Sequence, residues 1–299
     1  MLHYFLKKRL KKHDENNNIR LKSMMTMLHL EQSAIARCGS GIGNDCAQNI
    51  VVSLTSYEKR IDELYLCIES LFRQSLKADR VILWLSVKNF PGKDLPRTLL
   101  SQCEKGLEIR FIEDDLGPYK KIIYTLDECP ESLVITVDDD VLYPVDMVEK
   151  LYRSYLLSPA AVHCHRAYRM RVRNNNQLEP YKKWDVVGCE GQTGIDIFPT
   201  GIAGVLYPPG SLHRDVLDVN LFMRLCPGAD DVWLKAMSLL AGSLSSKVED
   251  SRSWKSRFLT IEGSQAQSLK RDNWKPRNGN DSKINAVFGH YDLYRFLCV

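Results

Sequence analysis

From residue 49 onward the chain alternates short apolar runs with stretches in which apolar positions recur every three or four residues. Residues 50–54, 81–85, 107–112 and 133–137 read as strands, and the last, rich in β-branched side chains, as a buried one. Between the first two, Ile61, Leu64, Ile68, Leu71 and Phe72 fall on one face of a helix. Strand alternating with helix implies parallel pairing with right-handed crossovers, so the expected fold class is α/β, an open, mostly parallel sheet flanked by helices. Residues 146–157 place Val148, Leu151, Tyr152 and Tyr155 on one side of another helix, and 160–164 read as a further strand. A helix opens at Asp230-Asp231 and carries Val232, Trp233, Ala236, Met237 and Leu240. Residues 166–197 and 243–283 are polar with little period. Segment 198–210 combines glycines with proline stops and is expected to shape a pocket wall. Residues 1–48 are polar and poorly periodic, which predicts a basic N-terminal extension and linker ahead of one domain over 49–299.

Composition narrows the class. With 299 residues, 44% hydrophobic and 26% charged, the chain is an ordinary globular one, and disordered and fibrous classes are excluded. The net charge of +4 is mild, and no nucleic-acid partner is expected. Seven Lys or Arg nevertheless fall within residues 1–22, against only Asp14 and Glu15. With Leu2, Tyr4, Phe5, Leu6 and Leu10 interleaved, Met1 to Lys12 is either a frayed terminus or a short helix for an anionic membrane surface. No apolar run is long enough to span a bilayer and the start lacks the features of a secretory leader, so the expected location is cytoplasmic, with peripheral contact at the inner face of the membrane. Nine cysteines without a C-x-x-C pair agree with a reducing compartment and buried free thiols.

The chemistry concentrates at Asp138-Asp139-Asp140, directly after the apolar run 133–137. Three carboxylates at the carboxyl end of a buried strand cannot all ionise cheaply without a cation, and that strand end is where ligands of open α/β sheets collect. Mn²⁺ or Mg²⁺ suits an all-oxygen ligand set. The competing reading is a solvated turn or a helix cap, with Asp140 or Asp146 capping the next helix. Lys120 and Lys121 follow the third strand and can reach a diphosphate. His163 and His165 alternate on a strand and face one side, but two histidines without a third ligand fall short of a zinc site. His165 and Arg166 are instead assigned to the wall of the donor or acceptor pocket, with Gly204 on the acceptor side.

The order of strand, Ser-Tyr-x-x-Arg loop, helix, strand, aspartate triplet and later Asp230-Asp231 resembles the GT-A glycosyltransferases of the family 2-like group, of the type found in bacterial surface-polysaccharide gene clusters. The resemblance covers about residues 49–242. It implies a metal-dependent, inverting transfer of a sugar from a nucleotide-sugar donor to a glycan or lipid-linked acceptor in capsule or lipopolysaccharide synthesis. It further implies that the triplet is the Asp-x-Asp element, with Asp138 and Asp139 beside the donor and Asp138 and Asp140 on the divalent cation. Thr55, Ser56, Tyr57 and Arg60 would line the nucleotide, Asp231 would be the general base with Asp230 beside it, and His290 would complete the metal site. Asp230 is equally a good helix N-cap. Where family members carry an aspartate that reads the base, this chain has Leu85-Ser86-Val87-Lys88, which leaves UDP as the default donor nucleotide. Two rivals remain: a sugar nucleotidyltransferase, which needs a Gly-rich loop where this chain has Thr55-Ser56-Tyr57-Glu58, and a non-catalytic carbohydrate-binding protein of the same fold.

Overall fold

Period-two alternation decides how strand β1 (Ile50–Thr55) sits. Ile50, Val52 and Leu54 enter one apolar cluster, while Val51 and Ser53 face the opposite side, where Ser53 Oγ lies 2.7 Å from Thr125 Oγ1. A strand buried on both faces belongs inside a parallel sheet covered by helices. The computed structural model, which describes residues 2–36, 39–173, 177–261 and 279–297, has that arrangement. β1 pairs in parallel with β2 (Arg80–Ser86) and β4 (Leu133–Thr136), and β2 pairs in parallel with β3 (Leu107–Ile112). The sheet continues through β11 (Val205–Tyr207), β6 (Val162–Cys164), β12 (Ser245–Lys247) and β9 (Gln192–Gly194), giving eight strands in the order β3-β2-β1-β4-β11-β6-β12-β9. β11 and β9 run against their neighbours, whereas β12 and β6 are parallel. Short β5 (Val141–Leu142) pairs with β13 (Leu259–Thr260), and β7 (Ala167–Arg169) lies between β8 (Asp185–Val186) and β10 (Ile197–Pro199).

Helices cover both faces. α1 (Leu2–Ile35), α2 (Leu64–Phe72), α3 (Arg97–Leu100), α5 (Met147–Leu157) and α8 (Trp254–Arg257) contribute to the cluster built on Ile50, Val52 and Leu54. α4 (Lys120–Glu128), α6 (Val219–Leu225), α7 (Asp230–Leu240) and α9 (Asn280–Tyr291) pack on the other side, around Trp233, Phe222 and Phe288. The described cysteines are free, and Cys67, Cys129, Cys164 and Cys226 are buried, as expected of structural thiols.

Three stretches depart from the sequence reading. Residues 2–35, poorly periodic in sequence, form one helix, and its second half is docked: Ser23 is buried with its Oγ donating to the Thr260 carbonyl at 2.8 Å, and Leu30 is buried. Its apolar residues point two ways, Leu30 and Met27 towards the domain and Leu21, Met25 and Leu28 away from it, and this cancels the single-face period that marks a helix. Residues 166–197 contain strands of two or three residues, held by the Arg171–Asp185 ion pair and by packing among Tyr181, Trp184 and Phe198, too short for periodicity to register. Within the polar tail, β12, α8 and β13 form, and α9 begins in its last residues. Asn174-Asn175-Asn176 and the side chains of Leu2, Tyr4, Phe5 and Leu6 lie outside the described residues. Among the described residues, no helix is long and apolar enough to cross a membrane.

Candidate active site

Strand register brings the site together. Ser53 of β1 lies opposite Thr136 of β4, and the Val137 N–H donates to the Ser53 carbonyl at 3.0 Å, so loop 55–60 leaves the sheet beside the triplet. β11 runs antiparallel with Val205 opposite Thr136, which lays segment 200–204 along the triplet's other side. The Thr200 N–H donates to the Arg166 carbonyl at 3.0 Å and fastens Arg166 to the same edge. That edge is the carboxyl end of the parallel strands.

Each carboxylate of the triplet meets a cation supplied by the chain. Asp139, only 7% exposed, accepts from Ser56 Oγ at 2.6 Å and from the Arg60 guanidinium, whose second nitrogen lies 3.1 Å from Asp140. Lys121, in the first turn of α4 and buried, places Nζ 2.7 Å from Asp138 Oδ1 and 3.1 Å from Asp230 Oδ2. Asp231 Oδ1 accepts the Gly201 N–H at 3.0 Å. A methyl group at Gly201 would stand 3.2 Å from Asp231 Oδ1, 3.4 Å from Lys121 Nζ and 3.7 Å from Asp138 Oδ1. Side chains from three separate elements therefore converge on one glycine. Tyr143 braces this arrangement: its hydroxyl accepts the Asp138 N–H at 2.8 Å and reaches the Ile202 carbonyl at 3.2 Å.

The capping alternative for Asp230 does not describe this helix. Ala229 occupies the N-cap and makes no side-chain cap, while both aspartates of the first turn are turned to Lys121 and Gly201. They still gain from the positive end of the helix dipole. Asp146 does hold the N-cap position of α5, yet it bonds Arg252 instead of the helix N–H groups.

Burial and mutual repulsion set the proton affinities. Burial, reinforced by Asp138, pushes Asp140 up to about 6, and burial raises Asp139 against the opposing pull of Arg60. Asp231 is pushed up by burial and then by Asp230. Burial works to lower Lys121, but Asp138, Asp230 and Asp231 outweigh it and keep the ammonium charged.

These residues fit a divalent cation only in part. Five carboxylates face Arg60 and Lys121, a formal excess of three negative charges, and buried Asp230 Oδ2 makes its ion pair without hydrogen-bond geometry. Yet among the described residues no three His, Cys, Asp or Glu side chains form a ready ligand shell. Asp138 and Asp140 can supply one or two oxygens, the number Mg²⁺ takes from protein when phosphates complete its shell.

Other residues singled out from the sequence lie elsewhere or act differently. Thr55 Oγ1 donates to the Trp84 carbonyl, and the Tyr57 ring lies under Arg60 at 5.5 Å. Lys120 is paired with Asp115 rather than with the triplet. His165 is buried, with Nε2 2.9 Å from the Met147 carbonyl, and burial drives it down to about 3; it is a core histidine. His163 is likewise held, between Ser154 and the Ser158 carbonyl. Gly204 has φ +90° and packs against Met147, which explains the glycine without a ligand. His290 is exposed on α9 against Tyr291 and makes no contact with the carboxylates. Arg166 does sit at the edge: it donates to Thr200 Oγ1 at 2.9 Å and lies between the rings of Tyr168 and Trp254, at 4.8 and 5.0 Å. The sequence reading missed Gly201 and Tyr143. Gly201 lay within the glycine-and-proline wall, whereas nothing marked Tyr143.

No protein-family model and no curated protein matches the chain. Among solved structures, it aligns with the mannosyltransferase PcManGT from Pyrobaculum calidifontis, in complex with GDP-Man and Mn²⁺, at 12% identity and TM-score 0.45, over 92% of this chain and 74% of that one. It also aligns with CMP:2-keto-3-deoxy-manno-octonic acid synthetase complexed with CTP at 13% identity and TM-score 0.36, over 68% of this chain and 90% of that one. At these levels neither alignment assigns a ligand or a reaction to this chain.

Proposed function

We propose that the chain is a nucleotide-sugar-dependent glycosyltransferase that inverts the anomeric centre and works with Mn²⁺ or Mg²⁺. The observation that carries this reading is the convergence of Asp138, Lys121 and Asp231 on Gly201 at the carboxyl edge of the parallel strands. Carboxylates able to hold a cation and a candidate proton acceptor stand within one small space, as sugar transfer from a nucleoside diphosphate requires. Held by Asp138 and Asp140, the cation would neutralise charge on the departing diphosphate. A diphosphate could not readily enter a site whose carboxylates outnumber its protein cations unless positive charge came with it. Asp231 removes the acceptor hydroxyl's proton as that oxygen attacks, and its raised proton affinity suits a base working near neutrality. Lys121 keeps Asp230 and Asp138 in place. Ser56 and Arg60 order the triplet that faces the donor, with a UDP-sugar as the first candidate. Arg166, between Tyr168 and Trp254, would receive a glycan or lipid-linked acceptor of a surface polysaccharide.

The test combines binding and turnover. Calorimetry with a panel of nucleoside diphosphates should find one that binds with Mn²⁺, and Asp140→Ala should lose that binding. Asp231→Asn should retain it while turnover of the matching nucleotide-sugar falls by roughly a hundredfold or more. Pyrophosphate release from a nucleoside triphosphate and a sugar phosphate would instead identify a nucleotidyltransferase. No nucleotide binding at all would leave a non-catalytic carbohydrate-binding protein.

A further inference from the structure

α1 has a second apolar face that the domain does not cover. With Ser23 and Leu30 turned inward, helical geometry sends Leu10, Leu21, Met25, Leu28 and Ile35 outward, and these five are between 58% and 75% exposed. The same geometry sets Lys7, Lys11 and Lys22 along one flank of that stripe and Arg9 and Arg20 along the other, all exposed; exposed Asp14 falls within the stripe and Glu15 and Glu31 on its flanks, so the cations outnumber the acids. The helix spans about 51 Å, and its outward side can lie flat on a plane.

We propose that this outward face of α1 docks on an anionic lipid surface. Charge selects the partner: apolar side chains enter the acyl boundary while the flanking cations meet lipid phosphates. A second copy of the chain is disfavoured, because pairing two such stripes would bring together two faces with an excess of cations. The helix is also linked to the candidate site. Lys22 Nζ donates to the Ser256 carbonyl of α8 at 2.7 Å, and α8 carries the Trp254 that stacks on Arg166. Ser23 bonds Thr260, and the next residue, Ile261, donates its N–H to the Asp140 carbonyl at 2.9 Å. The surface helix is thus fastened to both sides of the candidate site.

The inference does not rest on the proposed reaction, since vesicle binding is read without donor or acceptor. The full chain is to be co-sedimented with phosphatidylcholine vesicles with and without phosphatidylglycerol, at low and high salt. Retention by the anionic vesicles alone, weakened by salt, is the expected result. Each basic residue contributes about fivefold near such a surface, so Lys7→Glu/Lys11→Glu should weaken binding by at least roughly twentyfold. Leu21→Ser/Met25→Ser/Leu28→Ser should abolish it with an unchanged melting temperature, as these side chains make no core. Equal binding to both vesicle types, or binding to neither, would overturn the inference. So would a dimer in sedimentation equilibrium that the triple serine variant dissolves.

Discussion

Replacing Arg60 by Met tests whether the triplet's charge is held by protein cations. The guanidinium lies 2.5 Å from Asp139 and 3.1 Å from Asp140, with all three side chains at most 13% exposed. At an effective dielectric near 20, each pair is worth about 4 kcal/mol of attraction when charge centres are some 4 Å apart. Burial of the guanidinium offsets part of that sum, and breaking such a buried pair typically costs about 3–5 kcal/mol. The loss should depend on pH in a definite direction. Without Arg60, Asp139 and Asp140 would titrate further above their unfolded value near 4, so the folded variant would hold protons that the unfolded chain has released. Its stability then falls as pH rises through the raised values, and the deficit against wild type is largest above about pH 7 and shrinks towards about pH 4. Urea unfolding of both proteins at several pH values measures this. Arg60→Met/Asp139→Asn should recover much of the loss by removing one stranded carboxylate. A deficit under about 1 kcal/mol, or one that is the same at every pH, would refute the reasoning.

Gly201→Ala places a methyl group at 3.2 Å from Asp231 Oδ1 and 3.4 Å from Lys121 Nζ, so the Asp231 carboxylate must shift by a few tenths of an ångström. Sugar transfer should fall roughly ten- to a hundredfold with little change in unfolding midpoint, and unaltered turnover would remove Asp231 from the chemistry. Lys235, buried in α7 with Nζ 3.1 Å from Ser245 Oγ, is lowered by burial to about 7. Between about pH 7 and 10 the unfolded chain binds a proton that the folded chain lacks, so stability should rise with pH, by up to about 1.4 kcal/mol per unit. Lys235→Met should flatten that slope in urea titrations, and parallel curves for the two proteins would contradict it.

How far the chain could be read depended on how far apart the cooperating residues lie. The strands at 50–54, 81–85 and 133–137 were legible because burial on both faces favours a nearly unbroken apolar run, and 107–112 because its apolar residues alternate with Glu108 and Arg110; each forms close to its expected bounds. α1 was not, since a helix with one face on the domain and another exposed shows no single-sided pattern. The short strands β7, β8 and β10 were hidden for a different reason: their order comes from tertiary contacts such as Trp184 against Phe198 rather than from local propensity.

At the site the same contrast separates carboxylates from cations. The triplet stood out because three like charges adjoin one apolar run, and that alone argued for a divalent ion. The structure supplies a second source of positive charge, Arg60 from 79 residues away and Lys121 from 17, and only the fold makes either a neighbour. Lysines at 120 and 121 were indistinguishable as letters, yet the turn of α4 sends one to Asp115 and the other to Asp138 and Asp230. The local charge argument for a metal is therefore weaker than the sequence suggested, whereas the argument from charge excess is stronger. Even with Asp231 protonated, four carboxylates exceed what two protein cations neutralise, and a phosphate-bearing ligand would deepen the imbalance. If Mn²⁺ binds Asp138 and Asp140 alongside such a ligand, the ligand's own charge drives the ion in, so nucleotide and metal should bind with mutual enhancement and neither should bind well alone.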